Sequence, residues 1–308
     1  MQITKREFLK KLGILSTVGA SGAAFADEFV ATNKTLPLGS VGDPANVWFG
    51  QRIFPLPHTI EDGPSCRLEN GKIVMPAREI PLFHEADVVV VGGGPAGFAA
   101  AVAAARTGAK VALVEKDGSL GGLFTNGMVL IMLATSVRRE SGNWDVVTKG
   151  ICEEFMLRAR ALGAHVSTGA VSARQHWQPT VDPEAAKYLM DTMVAEAGVE
   201  MFFHAWGMDV IQDGDAVQGV VFQSKQGLQA ILAKQVVDCT GDGDIFFAAG
   251  RCIGAPDTID TFRLICPCFV SGQAAGTAAA LSVQKGVVPR ALSYADLRSA
   301  LLKAGCCI

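Results

Sequence analysis

The chain has 308 residues, 49% of them hydrophobic, with a mean hydropathy of +0.30 and a net charge of −3. That is enough apolar material for a large buried core in one large domain or two smaller ones, and the many Gly and Ala residues favour helix-on-sheet layers over a coiled coil or a disordered tail. No long run of like charge, basic stripe or aromatic platform is present, which argues against a nucleic-acid partner.

Residues 1–26 read as a signal peptide. Thr4 to Lys10 is basic, Leu12 to Ala24 is weakly apolar, and Ala24-Phe25-Ala26 forms an A-x-A cleavage site. The segment resembles a twin-arginine export signal in which Lys5 replaces one arginine, and that departure leaves an ordinary secretory signal open. Either route leads to a periplasmic or otherwise extracytoplasmic protein. No other apolar run reaches membrane-spanning length without interruption.

Residues 27–85 are rich in Pro, Gly and Asn, with short strand-like pieces such as Lys72 to Met75, and read as an irregular N-terminal extension. The core is expected from residue 86. Asp87 to Val91 is a continuous apolar run, as a strand covered on both faces of a parallel sheet should be. An Ala-rich helix, Phe98 to Arg106, and a second strand, Lys110 to Val114, follow. Helical patterns then cover roughly 146–162 and 183–197, the second opened by Asp182 as cap and Pro183 at the first helical position. After a strand at Val199 to His204, Asp213-Gly214-Asp215 turns between strand-like runs 208–212 and 216–223, as in a β-meander. Ala233 to Asp238 is a buried strand, Gly272 to Lys285 a small-residue helix, and about 293–304 a closing helix.

Gly92-Gly93-Gly94-Pro95-Ala96-Gly97 fits the pattern G-x-G-x-x-G. Alone the pattern is weak; between an apolar strand and a helix, with Glu115 closing the next strand, it is a dinucleotide fingerprint. Gly92 permits the tight turn, Gly94 lets backbone approach a pyrophosphate, and Gly97 lets helix pack on strand. The helix N-terminus then presents free N–H groups to the phosphates, and Glu115 would accept from ribose hydroxyls.

Four stretches together resemble flavoproteins. Lys116 to Gly122 is similar to the segment after their ribose-binding glutamate, and Val236 to Asp244 to their strand-plus-Thr-Gly-Asp motif. Gly250 to Ala255 and Gly272 to Thr277 are similar to their C-terminal motif, in which a helix N-terminus faces the flavin. From about residue 80 onward the chain resembles the FAD-dependent oxidoreductases related to fumarate reductase flavoproteins and to the A subunit of heterodisulfide reductase. The resemblance implies an α/β, Rossmann-type FAD-binding domain over 86–308, with helices on one side of a parallel sheet and a β-meander on the other. It implies FAD contacts at Gly92, Gly94, Pro95, Ala96, Gly97, Glu115, Lys116, Gly122, Gly241, Asp242 and Gly272, and backbone contact near Gly207. The partners it implies are a small-molecule substrate and an electron acceptor, which a redox protein could be.

One departure concerns the active site. Relatives place a long substrate-covering region between the Thr-Gly-Asp motif and the C-terminal motif; here Ile245 to Ala249 runs almost directly into Gly250-Arg251-Cys252. The chain is therefore expected to have a reduced or missing substrate domain, with a partial substrate-side segment at about 124–182. Arg138, Arg139, His165, His176 and Arg263 are the weak candidates for a catalytic role, the arginines suiting a carboxylate. The eight cysteines show no C-x-x-C spacing and no ferredoxin-type ligand run, so the iron–sulfur clusters of some relatives are not carried over and no metal site is expected. Cys266-Pro267-Cys268 is awkwardly spaced for a disulfide, and the cysteines read as buried apolar residues with room for one bridge in an exported chain.

Overall fold

The computed structural model describes residues 66–75, 77–133, 135–138, 144–166, 180–245 and 264–307, together with the strand pairs at 47–48 and 51–52. The residues expected to form the signal peptide lie outside this set. The chain divides into two compact units, Met1–Pro76 and Ala77–Ile308.

In the first unit β1 (Val47–Trp48) pairs antiparallel with β2 (Gln51–Arg52), and β3 (Arg67–Glu69) with β4 (Lys72–Val74). The β3–β4 turn is Asn70-Gly71, both at positive φ (49° and 74°). Two such residues match the natural twist of a two-residue hairpin. That Asn-Gly signal stands in a segment whose composition reads as irregular.

The second unit is a six-stranded sheet whose last three strands form a meander, with helices packed on one face of its parallel strands. Its elements are β5 (Leu82–Val91), α1 (Pro95–Arg106), β6 (Val111–Val114), α2 (Ile151–Ala161), α3 (Pro183–Glu196), β11 (Glu200–Phe202), β12 (Trp206–Asp213), β13 (Ala216–Ser224), β14 (Gly227–Asp238), α4 (Ile265–Lys285) and α5 (Tyr294–Lys303). Between β6 and α3 lie two small antiparallel pairs: β7 (Ser136–Arg138) with β8 (Trp144–Val146), and β9 (His165–Val166) with β10 (Thr180–Val181). The sheet order is β11-β6-β5-β14-β13-β12. The first four strands run parallel and the last three antiparallel, with β14 belonging to both sets.

The period of two along an all-apolar strand explains the layering. Val88 and Val90 of β5, with Val111 and Leu113 of β6, join the core shared with α1 to α4, whereas Val89, Val91, Ala112 and Val114 join a second core with Val220, Phe222, Ile231 and Ala233 of the meander. Helices therefore lie on one side and the meander on the other, as expected for an α/β Rossmann-type fold.

Several boundaries differ from the sequence reading. β5 begins five residues before Asp87, because Leu82 to Ala86 pair with Ala230 to Ala233 of β14. β14 is one twelve-residue strand, with its first half closing the meander and its second half beside β5. The helix expected from 146 starts at Ile151, since Trp144–Val146 pairs with β7. α3 starts as its sequence predicts: the Asp182 Oδ1 accepts from the Ala185 N–H at 2.9 Å, with Pro183 in the first turn. In the segment 124–182, Phe124, Met132, Ile151, Cys152, Phe155 and Val181 all belong to the α1 core, so the described part of that segment packs into the main unit.

Candidate functional site

β5 ends where the chain turns sharply into α1. The Gly92 N–H donates to the Val114 carbonyl at 2.8 Å, and Gly92 has φ +94°, a conformation that favours glycine. A Cβ at Gly92 would lie 2.5 Å from the Cys239 carbonyl oxygen, and one at Gly97 would lie 1.7 Å from the Gly92 carbonyl oxygen. Those two glycines are therefore required by packing. Gly94 differs: it is the N-cap of α1, and a Cβ there would meet nothing within 4 Å. The open space beside Gly94, at the N-terminus of a twelve-residue helix opened by Pro95, is the kind of cradle that a pyrophosphate fills.

Glu115 stands just past β6, 5% exposed. Its Oε2 accepts from the Gly93 N–H at 2.5 Å and its Oε1 from the Asp117 N–H at 2.7 Å. The carboxylate so pins the glycine loop to the next turn, and each oxygen keeps a lone pair for a ribose hydroxyl. The chain then doubles back. The Gly121 N–H donates to the Gly93 carbonyl at 2.8 Å, and a Cβ on Gly122 (φ +50°) would sit 3.3 Å from the Gly94 Cα. Gly122 thus lies directly against the loop. Lys116 is exposed, with its Nζ 5.7 Å from the centre of the Trp206 ring. Gly207 approaches Val91 so closely that a Cβ would be 2.6 Å from the Val91 Cγ1, which fixes the start of β12 against the end of β5.

The Thr-Gly-Asp turn closes the site from the other side. The Cys239 N–H donates to the Val91 carbonyl at 2.8 Å. The Asp238 Oδ1 accepts from both the backbone N–H (2.9 Å) and the hydroxyl (2.7 Å) of Thr240, whose Oγ1 accepts from the Asp244 N–H at 2.7 Å. Gly241 and Asp242 lie exposed on this turn, and a Cβ on Gly241 would meet nothing within 4 Å. Burial pushes the Cys239 thiol up to about 12, with the Asp238 carboxylate and Cys268 adding to it. Cys239 is therefore no thiolate nucleophile at neutral pH.

Gly272 is placed otherwise than its motif suggests. The helix expected to start there starts at Ile265, so Gly272 lies two turns inside α4, buried. A Cβ at Gly272 would lie 2.0 Å from the Ala96 carbonyl oxygen, and one at Gly276 would lie 2.0 Å from that of Ala100. Further along, the Gln284 Nε2 donates to the Thr107 carbonyl. α4 thus runs parallel to α1 in constant register. By that register its residues 265–270 extend past Pro95 by about 9 Å. The helix end beside the phosphate loop is Ile265 to Phe269, and Gly272 is the residue that lets the two helices touch. The apolar run before Gly272 gave no sequence signal of a helix start.

Of the catalytic candidates, Arg138 lies in β7 and His165 in β9, whereas Arg139, His176, Arg263 and the Gly250 to Ala255 motif lie outside the described residues. His84 lies near the start of β5, with its Nε2 3.7 Å from the Glu200 Oε1, at the opposite end of the strand from Gly92. Among the described residues no group of three or more His, Cys, Asp or Glu could hold a metal, and no helix is long and apolar enough to cross a membrane.

A parallel sheet with a glycine loop, a buried acidic residue after the second strand and a meander on the far face define a dinucleotide-binding flavoprotein fold. The FAD dependent oxidoreductase family model matches residues 87–255 and 246–301, and the chain belongs to that family, with FAD as cofactor. Dihydrolipoyl dehydrogenase of Manduca sexta is 45% identical over 62 residues, 20% of this chain and 12% of that protein. Thiamine thiazole synthase of Desulfosudis oleivorans is 33% identical over 165 residues, 51% of this chain and 56% of that protein. The chain therefore spans about half the length of the thiamine thiazole synthase it matches, and far less of the dehydrogenase. Among solved structures, Thermovibrio ammonificans THI4 aligns over 65% of this chain and 90% of its own, at 20% identity and a TM-score of 0.46. An open flavocytochrome c3 fumarate reductase aligns over 51% of this chain and 34% of its own, at 23% identity and a TM-score of 0.37.

Proposed function

We propose that the chain is an exported oxidoreductase that transfers hydride or electrons between a small organic substrate and FAD. The observation that carries this reading is the convergence of the Gly92 to Gly97 loop, the buried Glu115 and the Cys239 to Asp244 turn around the open space at Gly94. When bound, FAD supplies two-electron chemistry. The chain supplies the rest. The α1 N-terminus offers free N–H groups to a diphosphate, Glu115 offers acceptors to a ribose, and Gly122 and Gly241 let backbone come close on either side. Export rests on the basic, apolar and A-x-A pattern of residues 1–26, with the twin-arginine route compatible with a cofactor inserted before translocation.

The shortened substrate side is part of the same reading. The family match breaks into two pieces that overlap at 246–255, the junction where Ile245 to Ala249 runs into Gly250-Arg251. A second reading, a flavin-carrying electron-transfer module that docks on a redox partner, is favoured by one observation. The segment leaving Gly122 exposes Leu123 (74%), Met128 (62%) and Val129 (47%), an apolar stretch that suits a docking surface. A third reading is an inactive, truncated family member.

The first test is an absorbance spectrum of the purified protein before and after denaturation, followed by a substrate screen with an artificial acceptor. Near one FAD per chain with substrate-dependent turnover supports the enzyme. Reduction only through a protein partner supports the module. No flavin, with none taken up on reconstitution, rejects both and leaves the inactive member.

A further inference from the structure

α5 folds back along α4: the Lys285 Nζ, at the end of α4, binds the Asp296 Oδ2 in the first turn of α5 at 2.7 Å. Between these two helices, the end of α1 and the start of α2 lies a cavity of about 490 Å³. None of the residues that surround the open space at Gly94 lines it. Its volume falls in the range of small-ligand pockets, roughly 300–1,000 Å³.

The cavity has a buried donor without an acceptor. Gln273 of α4 lines it and is 2% exposed. α2 has no capping side chain of its own, and Gly150, its N-cap at φ +70°, makes room for the Gln273 amide. The Ile151 N–H donates to the Gln273 Oε1 at 3.0 Å, which settles which end of the amide is oxygen and leaves the Nε2 group to the cavity. The Thr277 Oγ1 donates to the Gln273 backbone carbonyl at 2.8 Å and so offers its proton elsewhere. Among the described residues the Gln273 Nε2 has no hydrogen-bond partner, and a buried amide N–H group left so calls for an acceptor. The charge around the cavity is positive. Arg106 and Glu154 neutralise each other across one wall, at 2.6 and 3.0 Å, whereas Lys303, exposed in the last turn of α5, makes no ion pair among the described residues. The α2 N-terminus adds partial positive charge. Ala103, Ile151, Leu281 and Ala300 make the apolar part of the lining.

We propose that this cavity binds a small organic carboxylate with an apolar body, aliphatic or aromatic. The carboxylate accepts from the Gln273 Nε2 and pairs with Lys303, while the body lies against Ala103, Leu281 and Ala300. A neutral amide of the same shape leaves Lys303 unpaired and brings N–H donors to a donor. The site is independent of the functional reading, since it needs neither flavin turnover nor a substrate at the flavin.

The test is a fluorine-NMR titration of para-fluorophenylacetate into the full chain held in saturating FAD, which keeps the cofactor cradle occupied. The expected result is saturable binding of one probe per chain, with the neutral para-fluorophenylacetamide at least about tenfold weaker. Gln273→Glu keeps an acceptor for the Ile151 N–H but puts a like charge where the free donor stood, and should weaken the probe by at least about tenfold. Lys303→Met alters an exposed side chain, so it should leave the melting temperature and flavin content unchanged and weaken the probe about threefold. No saturable binding to the parent chain, equal affinity for acid and amide, or parent-like affinity in either variant overturns the proposal. The flavin spectrum of the same samples reports separately on the functional reading.

Discussion

At its N-terminal end α1 meets backbone: the Cys239 carbonyl crowds Gly92, the Gly92 carbonyl crowds Gly97, and Gly272 of α4 lies on the Ala96 carbonyl. At its C-terminal end, about 18 Å away, side chains hold it. Arg106 binds Glu154 through two bonds of 2.6 and 3.0 Å, Glu154 also takes Arg158 at 2.8 Å, and Arg158 reaches Glu196 at 2.8 Å. The glycine-loop end is held by backbone groups that do not titrate, and the far end by charged side chains. A loop that must hold a diphosphate at fixed distance needs backbone N–H groups and space, whereas a helix tail needs only attachment.

The largest effects should come from filling the backbone contacts. In Gly97→Ala the new Cβ would fall 1.7 Å from the Gly92 carbonyl, and in Gly272→Ala it would fall 2.0 Å from that of Ala96. Backbone cannot yield as a flexible side chain does, so each should lose about 3 kcal/mol or more of stability, read as a fall in melting temperature with and without added FAD. Gly94→Ala sharpens the contrast. Its Cβ meets nothing, so the flavin-free protein should melt within about 0.5 kcal/mol of the parent while FAD affinity drops at least about tenfold. Equal destabilisation of the flavin-free Gly94 and Gly97 variants would show that the space at Gly94 is not a ligand cradle.

Glu115→Gln comes next. The side chain anchors the Gly93 and Asp117 N–H groups, and an amide presents one acceptor oxygen where the carboxylate presents two. Flavin retention should fall by about tenfold with a stability loss of about 1–2 kcal/mol, checked by flavin titration and thermal melting.

The glycine-loop end was legible in the sequence because backbone geometry leaves a residue signature: Gly92 and Gly97 stand where turn and packing exclude a side chain. The helix start expected at Gly272 was misplaced, because that glycine stands two turns inside α4 where it admits α1 at Ala96. The double role of β14 and the early start of β5 arise from pairings between distant segments, which no local pattern encodes. The Arg106–Glu154–Arg158–Glu196 network was hidden likewise, since only Glu154 and Arg158 are helical neighbours in sequence.

At the side-chain end the effects should be smaller and depend on salt and pH. The hydrogen bond from Arg106, opposed by burial and helped by Arg158, holds the Glu154 carboxyl below its ordinary 4.5. Its contribution is therefore full above that value and is lost as pH falls through the lower folded-state value. Glu154→Gln should cost about 1 kcal/mol at neutral pH, less in high salt, and nothing in strong acid, with FAD affinity unchanged. A loss of flavin in this variant would mean that the two ends of α1 are coupled.

Asp191 of α3 gives the smallest effect and the opposite sign. Its Oδ1 is buried with no hydrogen-bond partner, and burial alone raises its carboxyl above the ordinary 3.8. Below that value both folded and unfolded chains carry the proton, and the group is neutral toward stability. As pH rises, the unfolded chain ionises first, so stability is lost between 3.8 and the raised folded-state value and stays lost above it. Asp191→Asn should therefore stabilise the protein at neutral pH by about 0.5 kcal/mol, with the gain vanishing in acid. Melting curves across that range decide it. A variant that loses stability at neutral pH would show that the Asp191 charge is compensated in the folded chain, and that this carboxylate belongs with Glu154 among the paired ones.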